Sequence, residues 1–330
     1  MATGIRRREL TFALSATALA WPLAAGAQRQ RLIGMLMNRA ADDPEGRERS
    51  AVFRQALLDF GWSDRSNVRI ETRWGADEPD LEHQYAEELV ALAPDVIVAG
   101  GSLSVEALQH ATRSIPIVFA SVIDPVGAGF VGSLAHPGGN TTGFTDFEYI
   151  LGAKWLEVLK QIAPSVTRVA ILRDPAVPSG ATLFTAVQAS APSLGMDVVA
   201  MDVRAPGDIE SAVAAFARTA NGGLIVTPSG HASVHRDLII MLAVRYKLPA
   251  VYRDRSIVAS GGLISYGPDQ IDLYRRLAGY VDRILRGEKP ADLPVQVPSK
   301  YELSINLRAA RAIDLSVSQA LLRHADEVIE

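Results

Sequence analysis

From residue 31 onward, short unbroken apolar runs alternate with segments whose apolar side chains return every three or four positions. The runs at 31–37, 68–74, 95–99 and 115–120 predict strands. Between them, 48–60, 80–93 and 104–113 have helical spacing. The first of these sets Phe53, Leu57 and Phe60 on one face, with Gly61 as a stop signal. The second does the same with Leu81, Tyr85, Leu89 and Leu92. Strands that are apolar on both faces suit a parallel sheet covered by helices on each side. After a glycine-rich loop at 127–143 the pattern restarts: helix 152–162, strand 168–172, helix 181–194, strand 198–203, helix 208–220, strand 223–227, helix 234–246 and strand 250–252. Two such series predict an α/β protein of two doubly wound lobes. The tail reads as a strand at 262–266, a helix at 269–286, extended segments at 293–298 and 301–305, and a short helical end. No low-complexity linker interrupts the chain, so several short crossings should join the lobes.

The first residues follow a different pattern. Arg6, Arg7 and Arg8 precede an apolar stretch at 10–25, and Ala25-Gly26-Ala27 follows. A basic start, a short apolar core and a small-x-small end predict a cleavable export leader over 1–27, with the mature chain starting at Gln28. The tandem arginines leave twin-arginine export open beside ordinary secretion. No later apolar run approaches the length of a membrane span, so no direct membrane insertion is expected. The 330 residues contain no cysteine, which excludes disulfides, thiolate metal sites and a cysteine-linked lipid anchor. An exported, soluble chain of this kind is expected in a periplasm. Its formal charge of -4 offers no basic footprint for a nucleic-acid partner.

Alternating strands and helices invite a cofactor, but the motifs are missing. The first strand runs into Met37-Asn38-Arg39 without G-x-G-x-x-G, and neither a P-loop nor G-x-S-x-G occurs. No catalytic residue and no cofactor are therefore expected. His231 and His235 stand four apart but have no third ligand nearby, so no metal is expected either. In open α/β sheets ligands sit beyond the carboxyl ends of strands, and the polar groups there are the binding candidates. In the first series these are Asn38, then Gly101, Ser102 and Ser104 at a helix start, then Ser121 and Asp124. In the second they are Ser229, Tyr252 and Asp254, followed by Tyr266 and Asp269. Glycines that admit a ligand, and hydroxyls beside free N–H groups, suit a carboxylate. Asp124 reads either as an acceptor for an ammonium or as the cap of its own turn. Tyr252 and Tyr266 read either as ligand contacts or as packing between lobes.

Several stretches carry a likeness in combination: Ile115-Pro116-Ile117-Val118-Phe119, Asp124-Pro125-Val126, Pro137-Gly138-Gly139-Asn140-Thr141-Thr142-Gly143, Gly261 to Gly267 (GGLISYG), Arg286 to Gln296 (RGEKPADLPVQ) and Ala325 to Ile329 (ADEVI). Through them the chain resembles the ABC-transporter substrate-binding proteins, in the group that includes tryptophan- and tyrosine-type binders. The resemblance implies a type I periplasmic-binding-protein fold: two Rossmann-like lobes, three inter-lobe crossings and a cleft between them. It implies lobes of 28–146 with 267–292 and of 147–266 with 293–330. It also implies capture of a small-molecule solute, an amino acid or related carboxylate, and delivery to a membrane permease by a single-copy receptor. Ser102 and Ser121 match the first-lobe positions that hold a ligand carboxylate in amino-acid-binding relatives. Arg253 departs from the pattern, since relatives often carry an acidic residue there; here Asp254 comes one position later. Two other readings share these features: a sensor that presents its closed form to a membrane receptor, and a periplasmic enzyme.

Overall fold

The computed structural model describes residue 1 and residues 30–146, 150–175, 178–203, 205–229, 232 and 234–330. The leader expected over 1–27, apart from Met1, and His231 lie outside the described residues.

Two sheets organise the chain. The first comprises β1 (Arg31–Met37), β2 (Val68–Trp74), β3 (Val96–Gly100), β4 (Ile117–Val122) and β5 (Thr141–Thr145), in the order β2-β1-β3-β4-β5. All its pairings are parallel. The second contains β6 (Arg168–Arg173), β7 (Asp197–Asp202), β8 (Gly222–Val226), β9 (Ala250–Tyr252) and β10 (Ile264–Pro268), and repeats that order as β7-β6-β8-β9-β10. β11 (Tyr301–Asn306) adds antiparallel to β10, and β12 (Glu327–Ile329) parallel to β11. The two doubly wound lobes expected from the apolar pattern are therefore present.

The helices are α1 (Pro44–Asp59), α2 (Pro79–Ala91), α3 (Ser102–Ala111), α4 (Ile150–Ile162), α5 (Pro178–Ser190), α6 (Pro206–Phe216), α7 (Arg236–Arg245), α8 (Arg255–Ala259), α9 (Gln270–Leu285), α10 (Leu307–Ala312) and α11 (Gln319–His324). Helices α1, α2 and α6 open on Pro44, Pro79 and Pro206, ahead of the expected starts. Proline suits the first helical position because its missing N–H has no intrahelical partner there in any case.

Other boundaries also move. The glycine-rich loop expected through 143 gives way to edge strand β5. Gly143 makes that close approach possible: its φ is +156°, and a β-carbon on it would lie 2.2 Å from the Phe119 carbonyl oxygen. The strand expected at 262–266 begins later, at Ile264, because Gly261 turns the chain with φ +113°. The end expected to be helical finishes in strand β12 after α10 and α11.

Each sheet has apolar layers on both faces. In the first, β1, β3 and β4 pack one face against α1 and α9, with Phe53, Leu57, Leu273, Tyr274, Leu277 and Val281 all buried. The opposite face meets α2 and α3 through Leu89, Val105 and Leu108. Full burial of each such side chain is worth roughly 1.5–3 kcal/mol. In the second sheet Trp155 and Leu159 of α4 lead one layer, and Ile209, Val213 and Ile239 of α6 and α7 the other. The chain leaves the first sheet after β5, returns to it with α9, and leaves again before β11. These are the three expected crossings.

Candidate functional site

In each sheet the strand order reverses beside the first strand of its series, between β1 and β3 and between β6 and β8. Loops leaving the strands there diverge and open a crevice. In the first lobe β1 delivers Asn38 and Arg39, and β3 delivers Gly101 and the start of α3. Asn38 lies so close that a β-carbon on Gly101 would meet its Nδ2 at 2.9 Å. That Nδ2 donates to Asp77 at 3.4 Å. Asn38 Oδ1 is buried and lacks a hydrogen-bond partner among the described residues. Ser102, exposed, is the first residue of α3. Asn38, Gly101 and Ser102 are thus brought together.

Ser121, near the end of β4, has φ +58°, a left-handed conformation that strains a side-chain-bearing residue. Its hydroxyl donates to Gln270 Oε1 at 2.8 Å. Gln270 Nε2 donates to Asp146 Oδ1 at 2.6 Å, and the other oxygen of Asp146 accepts from the Arg253 guanidinium. Arg253 also pairs with Asp254 at 3.1 Å. Asp254 faces Arg39 at 3.7 Å, Arg39 faces Glu45 at 3.3 Å, and Glu45 pairs with Arg49 one helical turn on. A continuous polar chain therefore runs from the first lobe, through the start of α9 and the first crossing, into the second lobe and back.

Burial sets the electrostatics of this chain. It lifts the Glu45 carboxyl, but Arg49 and Arg39 more than reverse that and hold it down at about 2. Burial likewise lowers Arg49, and Glu45 turns the balance so that the guanidinium holds its proton more tightly than usual. For Arg253 burial wins and pulls it below the ordinary arginine range, against the opposing effect of Asp254. Arg49 Nε and Arg253 Nε are buried without a hydrogen-bond partner among the described residues.

Direct contacts hold the lobes together across the crevice. Ser256 of α8 donates to Glu45 at 2.6 Å, and Arg236 of α7 faces Asp43 at 3.5 Å. With Arg39–Asp254 they close the second lobe over the first turn of α1. Beside them lies a cavity of about 270 Å³. Its lining includes Glu45 and Glu48 of α1, Arg253, Asp254, Arg255 and Ser256 of the second lobe, and Gln270 at the start of α9.

Among the residues expected at the site, Asp254 alone lines that cavity. Several others make contacts within the fold. Ser104 is fully buried and donates to Glu82 at 2.8 Å. Tyr252 is 1% exposed, with its ring inside the second-lobe core. Tyr266 stacks on Tyr301 of the neighbouring strand β11, ring centroids 5.8 Å apart, a contact within the second lobe. Asp124 caps its own turn by accepting from Gly127 at 2.9 Å. Ser229 accepts from the Ala232 N–H at 3.1 Å. Asp269 caps α9 through Asp272 and pairs with Lys300 at 2.6 Å. Ser and Asp at strand ends are also the residues that cap the helices which follow, so one sequence signal covers both roles.

The sequence reading missed Arg39, Glu45, Arg49, Asp146, Arg236 and Gln270. Only the i,i+4 spacing of Glu45 and Arg49 hints at a pair. Among the described residues no group of three or more His, Asp or Glu could hold a metal ion. No described helix is long and apolar enough to cross a membrane.

The sequence matches the family described as ABC transporter substrate binding protein over residues 44–329. A tyrosine-binding protein of Clostridioides difficile is 25% identical over 289 residues, 87% of this chain and 82% of that protein. A conserved domain protein from Vibrio cholerae superposes with a TM-score of 0.83 at 27% identity, covering 91% of this chain and all of that one. An ABC domain from Streptococcus pneumoniae, solved in complex with L-Trp, also gives 0.83, at 25% identity with the same coverage.

Proposed function

Because the chain belongs to the ABC transporter substrate-binding family, we propose that it captures an amino acid or related small carboxylate between its lobes by hinge closure and passes it unchanged to a membrane permease. The jaws are 28–146 with 267–292 and 147–266 with 293–330. Export by the 1–27 leader, with work as a single copy in the periplasm, belongs to the same reading. The observation that carries it is the set of cross-lobe contacts, Glu45–Ser256, Arg236–Asp43 and Arg39–Asp254, beside an inter-lobe cavity. The relatives point the same way, one being a tyrosine-binding protein and another having been solved with L-Trp.

The energetics are modest. A solute shifts the open–closed balance only through its preference for the closed form. Moving the ratio from 1:99 to 99:1 takes about 5.5 kcal/mol of preference. Charged hydrogen bonds contribute roughly 1.5–3 kcal/mol each, so two to four are enough. Asn38, Ser102 and Ser121 are the first-lobe groups assigned to the solute carboxylate.

The test exploits the absence of native cysteine. Asp42→Cys and Asp237→Cys, labelled with a fluorophore pair, report the gap between α1 and α7. A mixture of the twenty L-amino acids should shorten the distance, and mass spectrometry should recover the bound member intact. A distance that ignores every amino acid, or a solute returned chemically altered, overturns the reading.

A further inference from the structure

Helices α2 and α3 pack on the same face of the first sheet, and each carries one histidine toward the other. His83 of α2 and His110 of α3 are both exposed. Their ring centroids lie 6.0 Å apart, with the planes tilted by 52°. His83 Nδ1 lies 2.8 Å from the Pro79 carbonyl oxygen. A carbonyl only accepts, so Nδ1 carries the hydrogen, and in the neutral ring the lone pair is left on Nε2. Metal-binding histidines are held in the same way, with one ring N–H on a carbonyl or carboxylate and the other nitrogen left to ligate.

The surroundings favour a cation. Glu87 follows His83 by one helical turn, and Glu106 precedes His110 by one, so each carboxylate shares the face of its histidine. Both are exposed and make no ion pair among the described residues. Unneutralised carboxylates on both helices raise the local concentration of positive ions.

We infer that His83 and His110 form an exposed site for one divalent transition-metal ion of the kind that favours imidazole, such as zinc, nickel or copper. An ion held by two imidazole nitrogens at about 2.0–2.1 Å lies roughly 3.2 Å from each ring centre, so tetrahedral angles put the centres about 5.3 Å apart. The observed 6.0 Å is a small side-chain rotation away from that spacing. No third His, Asp or Glu completes the set among the described residues. Water therefore fills the remaining positions, and the ion is exchangeable rather than resident. The chain has no cysteine, so no thiolate competes for it. Once bound, the ion fastens α2 to α3. This inference does not depend on the solute-binding reading.

Calorimetric titration of the chelator-treated protein with zinc chloride tests it. One ion should bind per chain with a Kd of about 1 mM or tighter. His83→Ala, His110→Ala and the double variant should each weaken it by about tenfold or more, because losing either ring dissolves the chelate. Magnesium, which takes oxygen ligands, should not displace the zinc. Zinc should raise the melting temperature of the native protein and leave that of the variants unmoved, while circular dichroism confirms that all three fold. His231 and His235, the other closely spaced histidines, supply the control: His235→Ala should leave the affinity unchanged. No zinc binding at about 1 mM, an affinity that survives either single substitution, or binding lost with His235→Ala instead would overturn the inference.

Discussion

Glu82 offers the sharpest quantitative test. It sits on α2 with no exposed surface, facing the start of α3. Ser104 donates to its Oε2 at 2.8 Å, and Oε1 has no hydrogen-bond partner among the described residues. The carboxylate lies over Gly75, where a β-carbon would come within 2.3 Å of it. Burial pushes the carboxyl up from 4.5 to about 7; the Ser104 bond opposes the rise and Asp77 adds to it. The sign follows from linkage. A group whose folded pKa lies above its unfolded one contributes stability that is complete below 4.5 and is lost as pH rises through 7. Each unit is worth about 1.36 kcal/mol, so between about pH 5 and pH 8 the loss amounts to about 2.5 kcal/mol. Glu82→Gln keeps the shape and can still accept from Ser104, but it carries no charge. Urea melts at several pH values should show the native protein losing about 2.5 kcal/mol more than the variant over that window. Parallel pH profiles for the two proteins would refute the account of Glu82 as a buried, ill-solvated carboxylate.

Asp146→Ala removes the carboxylate opposite Arg253, leaving a buried guanidinium with one fewer partner. Urea titration should report a loss of about 3–5 kcal/mol, the usual cost of breaking such a pair. Asp269→Ala deletes the cap of α9 and should cost about 1 kcal/mol in the same assay, with little added by the exposed Lys300. Glu45 behaves oppositely to Glu82: its depressed carboxyl contributes stability above 4.5 that fades as pH falls toward 2. Glu45→Gln should therefore flatten that part of the acid unfolding curve, measured by circular dichroism.

The lobes were readable from the chain because their strands are continuous apolar runs and their helices keep a clear period. β3, with all five residues buried, shows this most plainly. Strand β5 escaped because Thr141-Thr142-Gly143 resembles a turn; its strand character comes from pairing with β4 and from the contact Gly143 permits with Phe119. At the site, Asn38, Gly101 and Ser102 were visible as polar groups at strand ends. The ion-pair chain was not, because it joins Arg39, Glu45, Asp146, Arg253 and Gln270 from distant parts of the sequence. Long-range pairing of charges leaves no local period, and only the folded crossings bring these residues within reach.

Helix α9 carries a consequence for how the protein comes into being. It is encoded after five of the second sheet's seven strands, yet Leu273, Tyr274, Leu277 and Val281 complete the layer that covers β1, β3 and β4. A polypeptide growing from its amino end therefore emerges with one half of the molecule unable to finish. That half waits with an uncovered greasy face until Leu293, the last member of its layer, has left the ribosome. Newly arrived molecules are most prone to clumping during that interval, and a fragment cut short before α9 should never become a well-behaved protein.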